Sequence, residues 1–335
     1  MLHDFEISNY KGFNTFKIDN LSQINIISGS NNVGKTALLE VISIIKNSKD
    51  LRLFRTNIIS LFRSRDLDLE DVTRYFENVN LSIKYGNVEL TIQHKIIDDL
   101  TNEELVKVER YRSDIEDFLI MYQNDNIDIL PFRRDSDTRM HISSHREELQ
   151  TTFINSSKPD NRQLTMLYSA IQDLGIQERF LKYLRIIDKN IIHIEPQIRD
   201  TRKSFLRISL DNPKQSVISS ELGEGTNRYI EILSVLLKNS NGAVLIDEIE
   251  NGIHYTKLYD IWKAIIEIVQ KENIQLFVTT HDKESIEALI EASQDMNYNK
   301  VTSIKFFRNE ENQIEPSIKN FELFEYGIDM GADVR

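Results

Sequence analysis

Apolar residues follow two rhythms along the chain, and their alternation predicts the elements. "FEISNYKGFNTFKI" and then "INIISG" read as two or three short strands, the last an apolar run ending in glycine. It leads into "TALLEVISIIKN", where Leu38, Leu39, Ile42 and Ile45 recur at helical spacing. Residues 79 to 97, "VNLSIKYGNVELTIQHKII", alternate around Tyr85, Gly86 and Asn87 and predict an antiparallel hairpin. From about 101 to 190 the texture turns helical and charged. "NEELVKVERYRSDIEDFLIMY" and "NRQLTMLYSAIQDLGIQERFLKYLRII" carry helical apolar spacing, with the loop-like "RRDSDTRMHISSHREE" between them. No heptad pattern is sustained, so no long coiled coil is expected.

After residue 191 strands and helices alternate. "SFLRISL" predicts a strand, "LGEGTNRYIEILSVLLKN" a turn and helix, "GAVLIDEIE" a buried strand, "YTKLYDIWKAIIEIVQKE" a helix, "IQLFVTTH" a buried strand and "KESIEALIEAS" a helix. In the middle helix Leu258, Ile261, Trp262, Ile265, Ile268 and Val269 form one stripe. This order predicts an α/β fold with a mainly parallel sheet covered on both faces. The expected parts are an N-terminal lobe with antiparallel β structure at 1–99, a helical insertion at 100–190 and a C-terminal lobe at 191–335.

Composition narrows the class. With 40% apolar and 28% charged residues in 335, a substantial core is expected. The absence of cysteine excludes disulfides, thiolate metal sites and a cysteine nucleophile. "MLHDFEISNYKGF" lacks the apolar run of a secretory signal, and no stretch approaches a membrane span, so a cytoplasmic protein without membrane contact is expected. A net charge of -12 argues against a broadly basic nucleic-acid surface but leaves room for a local patch. Lys46, Lys49, Arg52, Arg55, Arg63 and Arg65 supply one, as a solvated helix face or as a DNA contact.

Four segments carry chemistry. In "GSNNVGKT" the spacing G-x-x-x-x-G-K-[ST] is met by Gly29, Gly34, Lys35 and Thr36, between a buried strand and a helix. Glycines let backbone N–H groups turn onto phosphate oxygens, the lysine reaches the outer phosphates and the threonine hydroxyl serves Mg2+. "VLIDEIENG" places Asp247 and Glu248 at the end of a buried strand, where one acid can position Mg2+ and the next can take a proton from the attacking water. "LFVTTHD" puts His281 at the end of another apolar strand, as a structural or a nucleotide-facing histidine. Gly223 to Thr226 in "LGEGTNRY" open a helix, either as a plain cap at Thr226 or as a second anion site.

In this order, "GSNNVGKT", "ELGEGTNRY", "VLIDEIENGIHY" and "FVTTHD" resemble the ABC-type ATPases of the OLD and RecF-like group, kin to the SMC heads. The resemblance covers residues 1 to 45 and about 165 to 300. It implies a P-loop ATPase head binding ATP and Mg2+. Lys35 and Thr36 match the Walker A residues, with Asn31 and Asn32 as the paired asparagines of that loop. Asp247 matches the magnesium acid, which with Thr36 makes the metal pair, Glu248 the catalytic glutamate and His281 the switch histidine. Gly223, Glu224, Gly225 and Thr226 match the signature that contacts the ATP of the opposite subunit. Asn251 and Gly252 match the loop at the dimer interface, and Gln93 is the candidate for the Q-loop glutamine.

The departures shape the expectation. With 54 residues after His281 there is no room for the C-terminal nuclease domain of OLD proteins, and the insertion is too short and irregular for SMC arms. A guanine-reading N-K-x-D is absent, which argues against a GTPase. The expected function is a Mg2+-dependent ATPase that dimerises around nucleotide and controls a separate effector such as a nuclease, in DNA transactions or defence against phage. The alternatives are a nucleotide-dependent scaffold with incidental turnover and a RecF-like DNA-binding ATPase.

Overall fold

Strands that are apolar throughout need cover on both faces, and these form the central sheet. In the computed structural model, which describes residues 1–11, 13–48, 50–63, 69–109, 111, 115–132, 151–200, 203–211, 215–311 and 313–330, that sheet runs in the order β15 (Ile314–Asn320), β14 (Val301–Arg308), β3 (Ile24–Gly29), β13 (Gln275–Thr279), β12 (Ala243–Ile246), β8 (Thr151–Ile154). All neighbours are parallel except the β14–β15 pair. β3, β12 and β13 are buried along their whole length. Their side chains alternate between two cores: Ile24, Ile26, Val244, Ile246, Leu276 and Val278 enter one, and Ile27, Leu245 and Phe277 the other.

The first core is closed by α5 (Asn161–Asp173), α6 (Gln177–Leu184), α7 (Glu224–Lys238), α8 (Leu258–Glu272), α9 (Lys283–Asp295) and α10 (Phe321–Asp329). A small antiparallel sheet, β11 (Gln215–Ile218), β10 (Lys203–Leu210) and β9 (Ile191–Asp200), adds Ile191, Ile194, Leu206 and Ile208 to it. On α8 the whole predicted stripe is buried, and Trp262 donates its Nε1–H to Ser285 O at 3.0 Å. At about 1.5–3 kcal/mol per large apolar side chain, this stripe alone stabilises the packing by on the order of 10 kcal/mol before chain entropy is counted.

The second core lies between the central sheet and an antiparallel sheet ordered β2 (Phe13–Ile18), β1 (Phe5–Tyr10), β4 (Asn80–Tyr85), β5 (Val88–Ile96), β6 (Asp117–Gln123), β7 (Asn126–Phe132). It is filled by α1 (Lys35–Asn47), α2 (Leu51–Arg63) and α3 (Leu69–Glu77). The predicted hairpin is β4–β5, turning at Gly86 with φ +53°. Among the described residues no helix is long and apolar enough to cross a membrane.

The segment expected to be helical differs most. α4 (Asn102–Val108), α5 and α6 are helices, but "DFLIMYQ" is strand β6 and β7 and β8 follow it. Leu119 and Met121 enter the second core, while Phe118 and Ile120 enter a small core with Val108 and Ile115. A short run that is apolar on both faces fits helix and strand spacing equally, and sheet pairing decides it. The stretch "RRDSDTRMHISSHREE" lies outside the described residues.

The register Ile27↔Thr279 and Ile246↔Val278 brings the C-terminal ends of β3, β13 and β12 side by side. Segments far apart in the chain thereby reach one edge, the edge at which parallel sheets bind ligands.

Candidate active site

The loop after β3 is built from residues that tolerate unusual backbone. Gly29 has φ +136°, and a Cβ there would lie 2.6 Å from Phe306 O of β14. Gly34 has φ +90°, with the Phe13 ring 2.7 Å from where a Cβ would sit. Between them Asn32 adopts φ +62°, a region asparagine accepts better than most residues. α1 starts directly after Gly34 with no side-chain cap, so its first N–H groups face the cleft, the arrangement that binds anions.

Lys35 folds back over this loop, donating Nζ–H to Gly29 O at 2.8 Å and Ser30 O at 3.0 Å. Burial holds its amine below the ordinary lysine range, opposed by the charges of Glu248, Asp247 and Glu250. Thr36 Oγ1 lies 3.2 and 3.1 Å from the two carboxylate oxygens of Asp247. Thr279 fixes that carboxylate from the other side, donating to Asp247 Oδ1 at 2.6 Å while accepting the Glu248 N–H at 2.8 Å.

Glu248 sits at φ +51°, a left-handed conformation that costs a residue of its type roughly 1–3 kcal/mol. Three contacts hold it: the Thr279 bond, Asn251 Nδ2 donating to its Oε2 at 3.0 Å, and Arg228 beneath its turn. Arg228 is only 2% exposed. Its guanidinium donates to Asn155 O (2.6 Å), Asp247 O (2.7 Å) and Glu231 Oε2 (3.0 Å). Burial pushes the Glu231 carboxyl up to about 7 against the pull of Arg228, and Gln163 of α5 donates to it at 2.6 Å.

His281 follows β13 and is half exposed, with Nδ1 3.1 Å from Glu250 Oε1 and 3.8 Å from Glu248 Oε1. Beside it, burial and then the neighbouring Glu284 push the Asp282 carboxyl up to about 6.

A cleft of about 680 Å³ collects Asn31, Asn32, Gly34, Lys35, Thr36, Asp247 and Glu248. Lys11, Phe13, Arg308 and Ile314 also line it, and nothing in their local sequence pointed to it. Lys11 stands in the β1–β2 turn at φ +49° and reaches Glu40 of α1 at 2.5 Å. Arg308 donates to Asn32 O at 3.3 Å from the end of β14. Thr279, Glu250 and Arg228 went unnoticed as well, although each lies within two residues of a predicted one in the chain. A hydroxyl on the buried strand two residues before His281, and an arginine among the apolar residues of α7, were the available signals.

Other expected residues lie elsewhere. Gly223 to Thr226 do not line this cleft, and the cap of α7 is Gly223, with Thr226 inside the helix, which corrects the plain-cap reading of Thr226. A Cβ on Gly225 would fall 2.1 Å from Gly252 O, so the two predicted glycine segments are packed backbone to backbone. Gln93 is on β5, bonded to Asn80 and not lining the cleft. Of the basic stretch, Arg52 is exposed, whereas Lys46 and Arg55 are half-buried and held below their ordinary pKa by that burial. Lys49, Arg65 and the Arg63 side chain lie outside the described residues.

The donor set fits a hard cation and a polyphosphate. A threonine hydroxyl and a carboxylate meet at an uncapped helix start, which suits Mg2+ sharing phosphate and water oxygens. Among the described residues no group of three or more His, Asp or Glu forms a cage for a metal by itself.

Residues 24–287 match a protein family described as "AAA domain, putative AbiEii toxin, Type IV TA system". The chain is similar to a protein of Helicobacter pylori named ATP/GTP phosphatase, with 24% identity over 384 aligned positions covering 97% of each chain. An uncharacterized protein of Methanocaldococcus jannaschii is 28% identical over 105 residues, 26% of this chain and 48% of that one. In fold it is similar to an SMC head bound to the C-winged helix domain of ScpA, at TM-score 0.50 and 10% identity over 96% of this chain and 99% of that one.

Proposed function

The chain belongs to that AAA-domain family, and from this premise we propose that it is a Mg2+-dependent ATPase of the ABC type working in the cleft at the ends of β3, β12 and β13. The observation that carries the reading is the convergence of Lys35, Thr36, Asp247 and Glu248 on one edge from segments more than two hundred residues apart. The name of the Helicobacter pylori relative supports it.

In this reading the loop N–H groups and Lys35 hold the β- and γ-phosphates, and Thr36 and Asp247 hold the cation. Mg2+, when bound, neutralises charge that builds on the phosphates during transfer. Glu248, already turned into the cleft, accepts a proton from the attacking water. The water oxygen bonds the γ-phosphorus as the bond to the β-γ bridging oxygen breaks, giving ADP and phosphate. His281 faces the γ-phosphate, and Gly223 to Thr226, outside the cleft of their own chain, contact the nucleotide of a second copy. A homodimer with a separate effector, in the OLD and RecF-like manner, completes the proposal; the family description, which names a toxin and a toxin–antitoxin system, accords with an effector role.

Glu248→Gln tests it. The variant should bind ATP and lose turnover by at least ~100-fold, as expected when a general base is removed, and Lys35→Ala should weaken ATP binding itself. Undiminished turnover in Glu248→Gln, or no ATP affinity in the unaltered chain, refutes the reading.

A further inference from the structure

Two of the residues that line the cleft take no part in the chemistry assigned above, and they stand as a pair. Arg308 ends β14, Ile314 begins β15, and the antiparallel register sets them directly opposite each other. Opposite residues on one face have Cβ atoms about 4.5–5.5 Å apart. Along β14, Ile304 and Phe306 enter the second core, and Arg308 is the next residue on that face, carried past the core into the cleft. Ile314 packs against the rim of the same core. Beyond the pair, Asn309 Oδ1 accepts the N–H groups of Glu311 and Gln313 at 3.0 and 2.9 Å, and its Nδ2 donates to Glu315 at 2.7 Å. A hydrogen-bonded hairpin thus presents both side chains.

Sheet order fixes which end of the cleft this is. β14 lies on one side of β3, whereas β13 and β12, the strand that leads into Asp247 and Glu248, lie on the other. The reacting end of a bound nucleotide belongs beside the two acids, so its other end runs across the phosphate loop toward β14. There the Arg308 guanidinium donates to Asn32 O of that loop at 3.3 Å. The cleft, about 680 Å³ in all, has the size of pockets that take whole small molecules, ~300–1,000 Å³. A phosphate chain is served by loop N–H groups, Lys35 and a cation; a flat guanidinium beside an aliphatic side chain suits the face of a heteroaromatic ring instead. We infer that Arg308 and Ile314 form the nucleoside subsite, the guanidinium stacking on the base and Ile314 covering apolar surface next to it. This rests on the reading of the cleft as a nucleotide site. A contact to the ring face reads no hydrogen-bonding edge, so adenine and guanine are gripped alike.

The test compares a nucleotide with its phosphate chain alone. Isothermal titration calorimetry of the full chain with Mg2+ measures ADP, GDP and inorganic pyrophosphate, at high salt so that the long-range pull of an exposed charge is screened. The unaltered chain should bind both nucleotides more tightly than pyrophosphate. Arg308→Ala should weaken ADP and GDP by a similar factor of roughly 3 to 30, the range of a cation–π contact, and change pyrophosphate affinity by less than about twofold. Arg308→Lys keeps the charge but loses the plane, so it should stay weak. Ile314→Ser should weaken the same two nucleotides.

An equal loss for pyrophosphate would make Arg308 a phosphate contact or a brace of the loop and overturn the inference. Full ADP affinity in Arg308→Ala or Ile314→Ser, recovery in Arg308→Lys, or a loss confined to one base would overturn it too. Failure of the unaltered chain to bind either ADP or ATP, or Lys35→Ala leaving all three ligands unaffected, would instead remove the nucleotide reading itself, and the subsite with it.

Discussion

Replacing Arg228 by methionine tests whether the acids depend on a strut buried beneath them. The guanidinium bonds Asn155 O, Asp247 O and Glu231 Oε2 at 2.6, 2.7 and 3.0 Å from a position 2% exposed. Methionine fills most of the volume but donates nothing. Glu231 would then be a buried carboxylate without its cation, a change that typically costs ~3–5 kcal/mol. Each deserted carbonyl adds about 1–3 kcal/mol where water cannot reach it. Relaxation and proton uptake by Glu231 offset part of this, so a net loss of roughly 4 kcal/mol is expected at pH 8. Urea unfolding followed by circular dichroism measures it, with the slope checked for constancy.

The double variant Arg228→Met, Glu231→Leu separates stability from function. Exchanging a buried pair for apolar residues is often neutral, so most of the stability should return. Turnover should not, because the strained Glu248 turn, at φ +51°, still lacks its anchor. A loss under ~1 kcal/mol in the single variant, small beside the penalty for a deserted buried charge, or full turnover in either variant, would refute the argument.

Three further outcomes follow from the geometry. Gly225→Ala should destabilise by at least ~2 kcal/mol in thermal unfolding, since backbone atoms of Gly252 would have to move; stabilisation from alanine's helix preference would contradict the packing. Thr279→Val removes both the donor to Asp247 and the acceptor for the Glu248 N–H, and should cut turnover about tenfold or more while Thr279→Ser keeps it, each lost bond being worth ~1–3 kcal/mol. Glu231 gives a pH signature. Its carboxyl is at about 7 when folded and ~4.3 when unfolded, so the folded chain holds the extra proton between those values and this contribution falls as pH rises through that window. Between pH 5 and 8 the wild type should lose ~2–3 kcal/mol relative to Glu231→Gln, and a flat difference would contradict the shift.

Much of this was legible along the chain. The buried strands, the α8 stripe, the β4–β5 hairpin and the glycine-lysine-threonine turn rest on neighbours within a few residues, where periodicity and backbone sterics speak directly. "DFLIMYQ" was misread because its apolar residues face two different cores, and no local rhythm records which neighbour covers each face. Lys11, Arg308, Thr279 and Arg228 reach the site from separate elements, and their residue types are common on ordinary surfaces or helices.

The sequence by itself determined which groups are chemically able to hold a phosphate chain and a hard cation, because glycine spacing, a lysine, a hydroxyl and adjacent acids are properties of residue type and order. Tertiary structure alone decided that Asp247 meets Thr36, that Glu248 is bent into a left-handed turn and that Glu250 accepts the main-chain N–H of His281. Those facts depend on the sheet order β3, β13, β12 and on Arg228 packed under one turn, and strand order is set by the burial of two cores at once.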